Sequence, residues 1–191
     1  ARWLHVTGGD AEDLCAVALA ARAWALGNPA AVQRTPLDTA GYYDSPMVAE
    51  PLRRLDCARP VNGAVAVVLT TDPGIGEGPR VAVRGTGRAH PVRHRRAGAE
   101  SWFGGGRPAV DTALERAGMT RGDLDVVELY DPFTVVTLAL LEEYALCPPG
   151  QAGALARAGG LGPGGELPTN TGGGQLSGFY LQGMTPLHEA V

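Results

Sequence analysis

Lysine is missing from this chain altogether: all 16 basic residues among its 191 are arginine. Without a side-chain amine there is no Schiff base to a carbonyl substrate and no anchor for pyridoxal phosphate. Cysteine is scarce. Cys15, Cys57 and Cys147 are scattered, odd in number and never spaced as C-x-x-C. That argues against a disulfide framework and against a zinc ribbon in this chain, and leaves them as buried thiols. Long apolar runs are lacking too, and the opening ARWLHVTGGDAEDL has none of the order of a signal peptide. A soluble, cytoplasmic protein without membrane contact is therefore the default expectation. Nor is there an excess of positive charge: the net charge of −4 gives no general attraction to nucleic acid or an anionic membrane.

At 45% hydrophobic residues, a chain of this length holds one core and falls short of two comfortable domains. Residues 11–26, AEDLCAVALAARAWAL, predict a helix with acidic residues in its first turn and Gly27-Asn28-Pro29 as its stop. The stretch 28–60 carries too many breakers for one long element and predicts an ordered loop region. GAVAVVLTT (63–71) and RVAVRGTG (80–87) predict buried strands around the turn DPGIGEGP. A helix over 108–117, a strand over 125–130, a helix from Pro132 through Tyr144 and a short helix over 151–158 follow. Pro132 at the first helical position would set Tyr130 where a strand meets a helix N-terminus. Strands alternating with helices predict the α/β class.

Candidate chemistry is sparse. The run RAHPVRHRRAG (88–98) holds His90 and His94 at a metal-like spacing, yet no acidic or cysteine partners lie nearby, so no metal site is expected; a solvated loop or an arginine patch for phosphates are the other readings. The glycine clusters lack the context of a dinucleotide fingerprint. Ser177, His188 and Asp131 could be recruited as a triad, but Ser177 has no G-x-S-x-G elbow. The loop TNTGGGQLSGFYLQG (169–183) is more informative. A glycine triplet allows close backbone approach and positive φ, and in a chain with 6% aromatic residues it precedes Phe179 and Tyr180. Either Tyr180 serves a site, or it folds back to anchor a surface turn.

ELYDPFTVVTLALLEEYALCPPG followed by GGELPTNTGGGQLSGFYLQG resembles the C-terminal half of the thiolase superfamily, in its sterol-carrier or lipid-transfer branch. There the corresponding patterns are E-x-H-D-x-F and N-x-x-G-G-x-x-S-x-G-H-P-x-G. NGAVAVVLT is similar to that family's D-G-A-A-A-V-V-L strand, and the similarity extends over nearly the whole chain. The resemblance implies a thiolase-like layered fold, helices packed on mixed sheets and present only in part. Residues 1–62 would be the end of the N-terminal half with a loop region, and 63–191 a strand leading into the C-terminal half. It also implies that the segment bearing a thiolase's nucleophilic cysteine lies outside this sequence.

The departures carry the functional expectation. Tyr130 and Tyr180 stand where ordinary members have imidazole-type or asparagine side chains, a paired replacement that resembles the thiolase-like aldolases that shorten steroid side chains. Asn62 for aspartate and Pro132 for a small residue have no assigned consequence. The implied reaction is retro-aldol cleavage of a β-hydroxyacyl-CoA, by a lyase of steroid degradation, into a ketone and a shorter acyl-CoA. Tyr130 and Tyr180 would be acid and base, the helix N-terminus beside Tyr130 would stabilise its phenolate, and Asn170 with Gly172, Gly173 and Gly174 would bind substrate, their backbone N–H groups facing enolate oxygen. No cofactor is expected beyond the CoA of the substrate. Implied partners are a second copy in a homodimer and a small acyl-CoA-associated protein with an OB-fold and a zinc ribbon. Two alternatives stay open: a thiolase-type acyltransferase using a cysteine outside this sequence, and a non-catalytic acyl-CoA-binding subunit.

Overall fold

The N-terminal part of the chain is organised by an acidic cap. Asp10 accepts the Glu12 and Asp13 N–H groups, the first at 2.8 Å, while the Asp13 carboxylate reaches back to the Asp10 N–H at 3.1 Å. This reciprocal capping box starts a long helix by satisfying donors that have no partner inside it. A computed structural model of the protein describes residues 2–72, 81–90 and 102–191. The helices are α1 (Arg2–Thr7), α2 (Ala11–Gly27), α3 (Thr39–Asp44), α4 (Gly106–Ala117), α5 (Thr134–Glu143), α6 (Ala152–Arg157) and α7 (Met184–Glu189). Antiparallel strands β1 (Met47–Ala49) and β2 (Leu52–Arg53) form a small hairpin between α3 and α4.

The expected helix over 11–26 is present as α2, and those over 108–117 and 151–158 as α4 and α6. Alanines and leucines along α2 bury Leu14, Val17, Ala18, Ala21 and Ala25, against which α5 packs Leu138 and Leu141, and α6 packs Ala152 and Ala156. Small residues let these helices approach closely: a Cβ on Gly153 of α6 would overlap the Asp13 carboxylate. That buried carboxylate pairs with Arg157 from the end of α6. Glu143, at the end of α5, accepts the Trp102 N–H at 2.8 Å and the Gly106 N–H at 2.9 Å. A carboxylate thus meets the N-terminus of α4, which has no capping side chain of its own.

Three expectations are corrected. The stretch 28–60 is more regular than a loop, since it contains α3, the hairpin and a 3-10 turn at Arg54–Asp56. Helix α5 begins at Thr134 with Phe133 as its N-cap, so Pro132 lies before the helix and Tyr130 does not sit on its first turn. The valine-rich runs at 63–71 and 81–87 pair with no neighbouring strand among the described residues. Val68 is 82% exposed and Leu69 79%. Apolar β-branched composition supplies the side chains of a strand, but only an adjacent backbone completes one. Residues 125–130 likewise form a single parallel bridge, Val127 with Thr169. Arg80, His94 and most of the turn DPGIGEGP lie outside the described residues.

A buried polar node ties the hairpin region to α5. Tyr42, fully buried, donates its hydroxyl to Asp56 at 2.8 Å, and Asp56 also accepts the Thr134 hydroxyl at 2.8 Å and the Arg53 N–H at 2.7 Å. Burial and the Asp56 carboxylate both push the Tyr42 phenol far up, so it stays a donor. Tyr42→Phe should lower stability by about 1.5–3 kcal/mol, the usual worth of a hydrogen bond to a charged group. Urea unfolding measures this, and an unchanged midpoint would show that the node is dispensable.

Candidate active site

Two segments distant in sequence meet here, and the chain between them explains how. Leu129 donates its N–H to the Asn170 side-chain oxygen at 2.6 Å, and the Asn170 N–H returns to the Val127 carbonyl at 3.0 Å. One residue further, Thr171 donates both its N–H and its hydroxyl to Glu128, at 2.9 and 3.0 Å. Burial pushes the Glu128 carboxyl up, offset by these Thr171 bonds. The strand-like run ending at Tyr130 is thereby laced to the start of the glycine-rich loop.

The loop then turns tightly. Gly174–Gly178 forms a π-helical turn, with Gly173 at φ 95° and Gly174 at φ 59°, conformations that favour glycine. Packing makes the same demand. A Cβ on Gly174 would overlap Asp131, one on Gly172 would overlap Glu189, and one on Gly173 would lie 2.7 Å from the Cβ of Ala25 in α2. The outer side of the turn is held by Arg22, whose buried guanidinium donates to Ser177 at 3.1 Å, to Gln33 at 2.7 Å and to the Thr35 carbonyl at 2.8 Å. After the turn, Tyr180 bridges in parallel to Pro60, while Ala58 donates its N–H to the Pro132 carbonyl at 2.9 Å and Cys57 bridges Phe133. Residues 57–60 thus buttress both tyrosine-bearing segments.

The outcome is a phenol pair. The hydroxyls of Tyr130 and Tyr180 stand 3.3 Å apart, with either able to donate, and Tyr130 is 40% exposed, as is Phe133 three residues further on. The Tyr130 phenol is raised above its ordinary value. The hydrogen bond between its hydroxyl and that of Tyr180 leads, followed by burial and by the charges of Tyr180 and Asp131. Stabilisation of a Tyr130 phenolate by a helix N-terminus was expected; α5 instead starts beyond Phe133, and the shift runs the other way, led by the Tyr180 contact.

The remaining candidates separate. Asn170 and the three glycines are buried, and the Gly173 N–H is committed to the Asn170 carbonyl at 2.8 Å. Ser177 serves Arg22, His188 packs edge-on against Phe179, and Asp131 holds Gln175, so the three do not form a relay. His90 accepts a hydrogen bond from Arg88 at 2.8 Å. Cys15 is buried and Cys57 and Cys147 partly so; burial raises all three thiols, Cys147 to about 12, so none is poised as a thiolate. No helix among the described residues is long and apolar enough to cross a membrane.

Sequence reasoning overlooked the position of Asp131, although it directly follows Tyr130. Burial pushes its carboxyl up to about 7 against opposing bonds from the Gln175 backbone and from the Asn170 and Gln175 side chains. A carboxyl raised when folded, from an ordinary 3.8, binds its proton more tightly in the native state. Its favourable contribution is complete below about 4 and is lost as pH rises through about 7. Asp131→Asn should abolish that decline, gaining on the wild type steadily between these limits. Urea unfolding of both proteins across the window tests it, and parallel stability curves would contradict it.

A family model for thiolase C-terminal domain-like proteins matches residues 87–191, more than half of the chain. The whole chain aligns at 33% identity with 51% of a 17-hydroxy-3-oxo-4-pregnene-20-carboxyl-CoA lyase of Mycobacterium tuberculosis. It aligns at 31% identity with 51% of a steroid side-chain-cleaving aldolase of Thermomonospora curvata. Among solved structures, a Ltp2-ChsH2(DUF35) aldolase superposes on 98% of the chain with a TM-score of 0.78 and 26% identity, using 51% of its own length. The chain therefore spans about half the length of the curated relatives it matches.

Proposed function

Because the chain belongs to the thiolase C-terminal domain-like family, we propose that it carries the phenol pair of a retro-aldolase acting on a CoA thioester. The observation that supports this most is the approach of the Tyr130 and Tyr180 hydroxyls to 3.3 Å. It is strengthened by similarity to a lyase whose name specifies a hydroxyl β to a CoA thioester. The substrate is a β-hydroxyacyl-CoA with a bulky apolar, steroid-like portion, for which the exposed Phe133, three residues from Tyr130, offers apolar surface.

The chemistry needs two proton transfers. A base takes the β-hydroxyl proton, the oxygen lone pair forms the ketone C=O, and the Cα–Cβ bond breaks with its electron pair passing into the thioester enolate. An acid then protonates Cα to give the shorter acyl-CoA. Tyr130, held protonated by Tyr180 and by burial, suits the acid. Tyr180, its partner, is left with the β-hydroxyl. Neither step consumes free CoA, which separates this reaction from thiolysis. The raised thiols of Cys15, Cys57 and Cys147 also favour it over an acyl-enzyme route within this chain.

The intact protein should convert a β-hydroxyacyl-CoA into equimolar ketone and shortened acyl-CoA with no free CoA added. Absolute dependence on CoA would transfer the assignment to a thiolase, and binding without turnover would transfer it to a non-catalytic subunit. The working assembly is proposed to be a homodimer joined by a small OB-fold and zinc-ribbon protein. The solved aldolase whose name joins Ltp2 to a DUF35-bearing ChsH2 supports such a pairing. Light scattering of the intact protein with and without that companion tests it; a monomer indifferent to the companion would refute it.

A further inference from the structure

The proton transfers leave one buried carboxyl beside Tyr130 unused. Asp131 is 1% exposed, and its Oδ1 accepts the Gln175 backbone N–H at 2.8 Å and, more loosely, the Gln175 side-chain amide at 3.4 Å. Its Oδ2 is fully buried, the Asn170 side chain being the other donor that acts on the carboxyl, and faces Gly174 so closely that a Cβ there would overlap it. Such an arrangement is costly in free energy for a side chain whose only task is filling space, because a buried carboxyl without a full set of donors is unfavourable.

The position of the bond suggests its use. Asp131 is joined to Tyr130 by one peptide link, and Gln175 to Tyr180 by the short run 176–179. The Asp131–Gln175 bond therefore closes a small ring: Tyr130, Asp131, Gln175, the run to Tyr180, and back through the phenol contact of 3.3 Å. Residues 57–60 also bridge the two tyrosine-bearing segments, from Tyr180 to Pro60 and from Pro132 to Ala58, and the remaining ties act elsewhere. Leu129 with Asn170 and Glu128 with Thr171 lace the loop before the glycines, and Arg22 holds the turn to α2 and the 33–35 segment.

We propose that Asp131 is a positioning residue: by gripping the Gln175 backbone it fixes where the chain delivers Tyr180 relative to Tyr130. The kinetic part rests on the retro-aldol reading above, whereas the geometric part does not. A displacement of about 1 Å in a reacting group can cost on the order of 10²-fold in rate, so a grip at this point has leverage. Asparagine preserves an acceptor at Oδ1, alanine removes it, and a methyl on Gly174 pushes the turn off the carboxyl.

The test uses Asp131→Asn, Asp131→Ala and Gly174→Ala in the intact protein, with two readouts. The first is the titration of the Tyr130 phenol, followed by NMR of tyrosine labelled at Cζ and assigned with Tyr130→Phe. In the wild type and in Asp131→Asn it should lie above the ordinary phenol range, as a Tyr130 proton shared with the Tyr180 oxygen requires. In Asp131→Ala and Gly174→Ala it should fall back toward that range. The second readout is turnover of a β-hydroxyacyl-CoA: kcat should drop by about 10²-fold in the two alanine variants with KM little changed, and recover in Asp131→Asn. A folded Asp131→Ala protein that keeps both the high phenol titration and the wild-type kcat overturns the positioning role. So does an Asp131→Asn protein that loses both. Should the phenol titrations follow this pattern while even the wild type turns nothing over, the geometric inference stands and the retro-aldol reading fails.

Discussion

Tyr180→Phe is expected to leave the protein folded and to slow ketone release by roughly 10²–10⁴-fold, the range for losing one general acid or base. The substitution keeps the ring and the backbone bridge to Pro60, and removes only the oxygen that stands 3.3 Å from Tyr130. Tyr130→Phe should have a loss of the same order. On the single proton path proposed for the two hydroxyls, the double variant should be far less than multiplicatively worse. A second consequence distinguishes chemistry from packing. The hydrogen bond between the two hydroxyls is the leading cause of the raised Tyr130 phenol, so Tyr180→Phe should bring that titration down. Ketone assays on the three variants, with melting curves as the folding control, decide the matter. A Tyr180→Phe enzyme within a few-fold of the wild type would remove this loop from the chemistry.

What could be foreseen from the sequence depended on how local its cause was. Helix α2 follows from the acidic cap at Asp10 and the alanine-rich face behind it, both contained within a few turns, and α4 ends where Gly118 adopts φ 65°. The valine-rich segments show the opposite case: their composition satisfies a strand, yet pairing depends on a neighbour that local pattern cannot specify. At the site, the two tyrosines were legible because each interrupts a recognisable motif. Their contact was not, since it depends on bonds such as Leu129 to Asn170 that span distant parts of the chain. The glycine triplet was legible as exceptional. Expected as a cradle for substrate, it also packs against Ala25, Asp131 and Glu189, a steric demand for glycine that the sequence does not show. Asp131 was visible in ELYDPF only as the acid of a triad that Ser177 and His188 could not complete; its burial is a property of the fold.

Asn170 gives the sharpest test of whether this lacing matters. Its side-chain oxygen takes the Leu129 N–H at 2.6 Å, and its backbone stands at φ 55°, a region that asparagine tolerates better than most residues. Asn170→Ala should cost about 2–4 kcal/mol, combining a buried N–H left without a partner, at about 1–3 kcal/mol, with roughly 1 kcal/mol of left-handed strain. Asn170→Gly separates these terms, since glycine relieves the strain but leaves the Leu129 N–H unbonded, and it should lie between alanine and wild type in urea unfolding. Both variants loosen the segment carrying Tyr130 from the loop leading to Tyr180, so kcat on a β-hydroxyacyl-CoA should fall by about 10–10²-fold. A group that only touched bound substrate would act differently: its loss would raise KM and leave stability untouched. Wild-type stability in Asn170→Ala together with a raised KM would return Asn170 to the substrate-binding role its motif suggested and break the link drawn here between the loop's anchoring and the geometry of the two phenols.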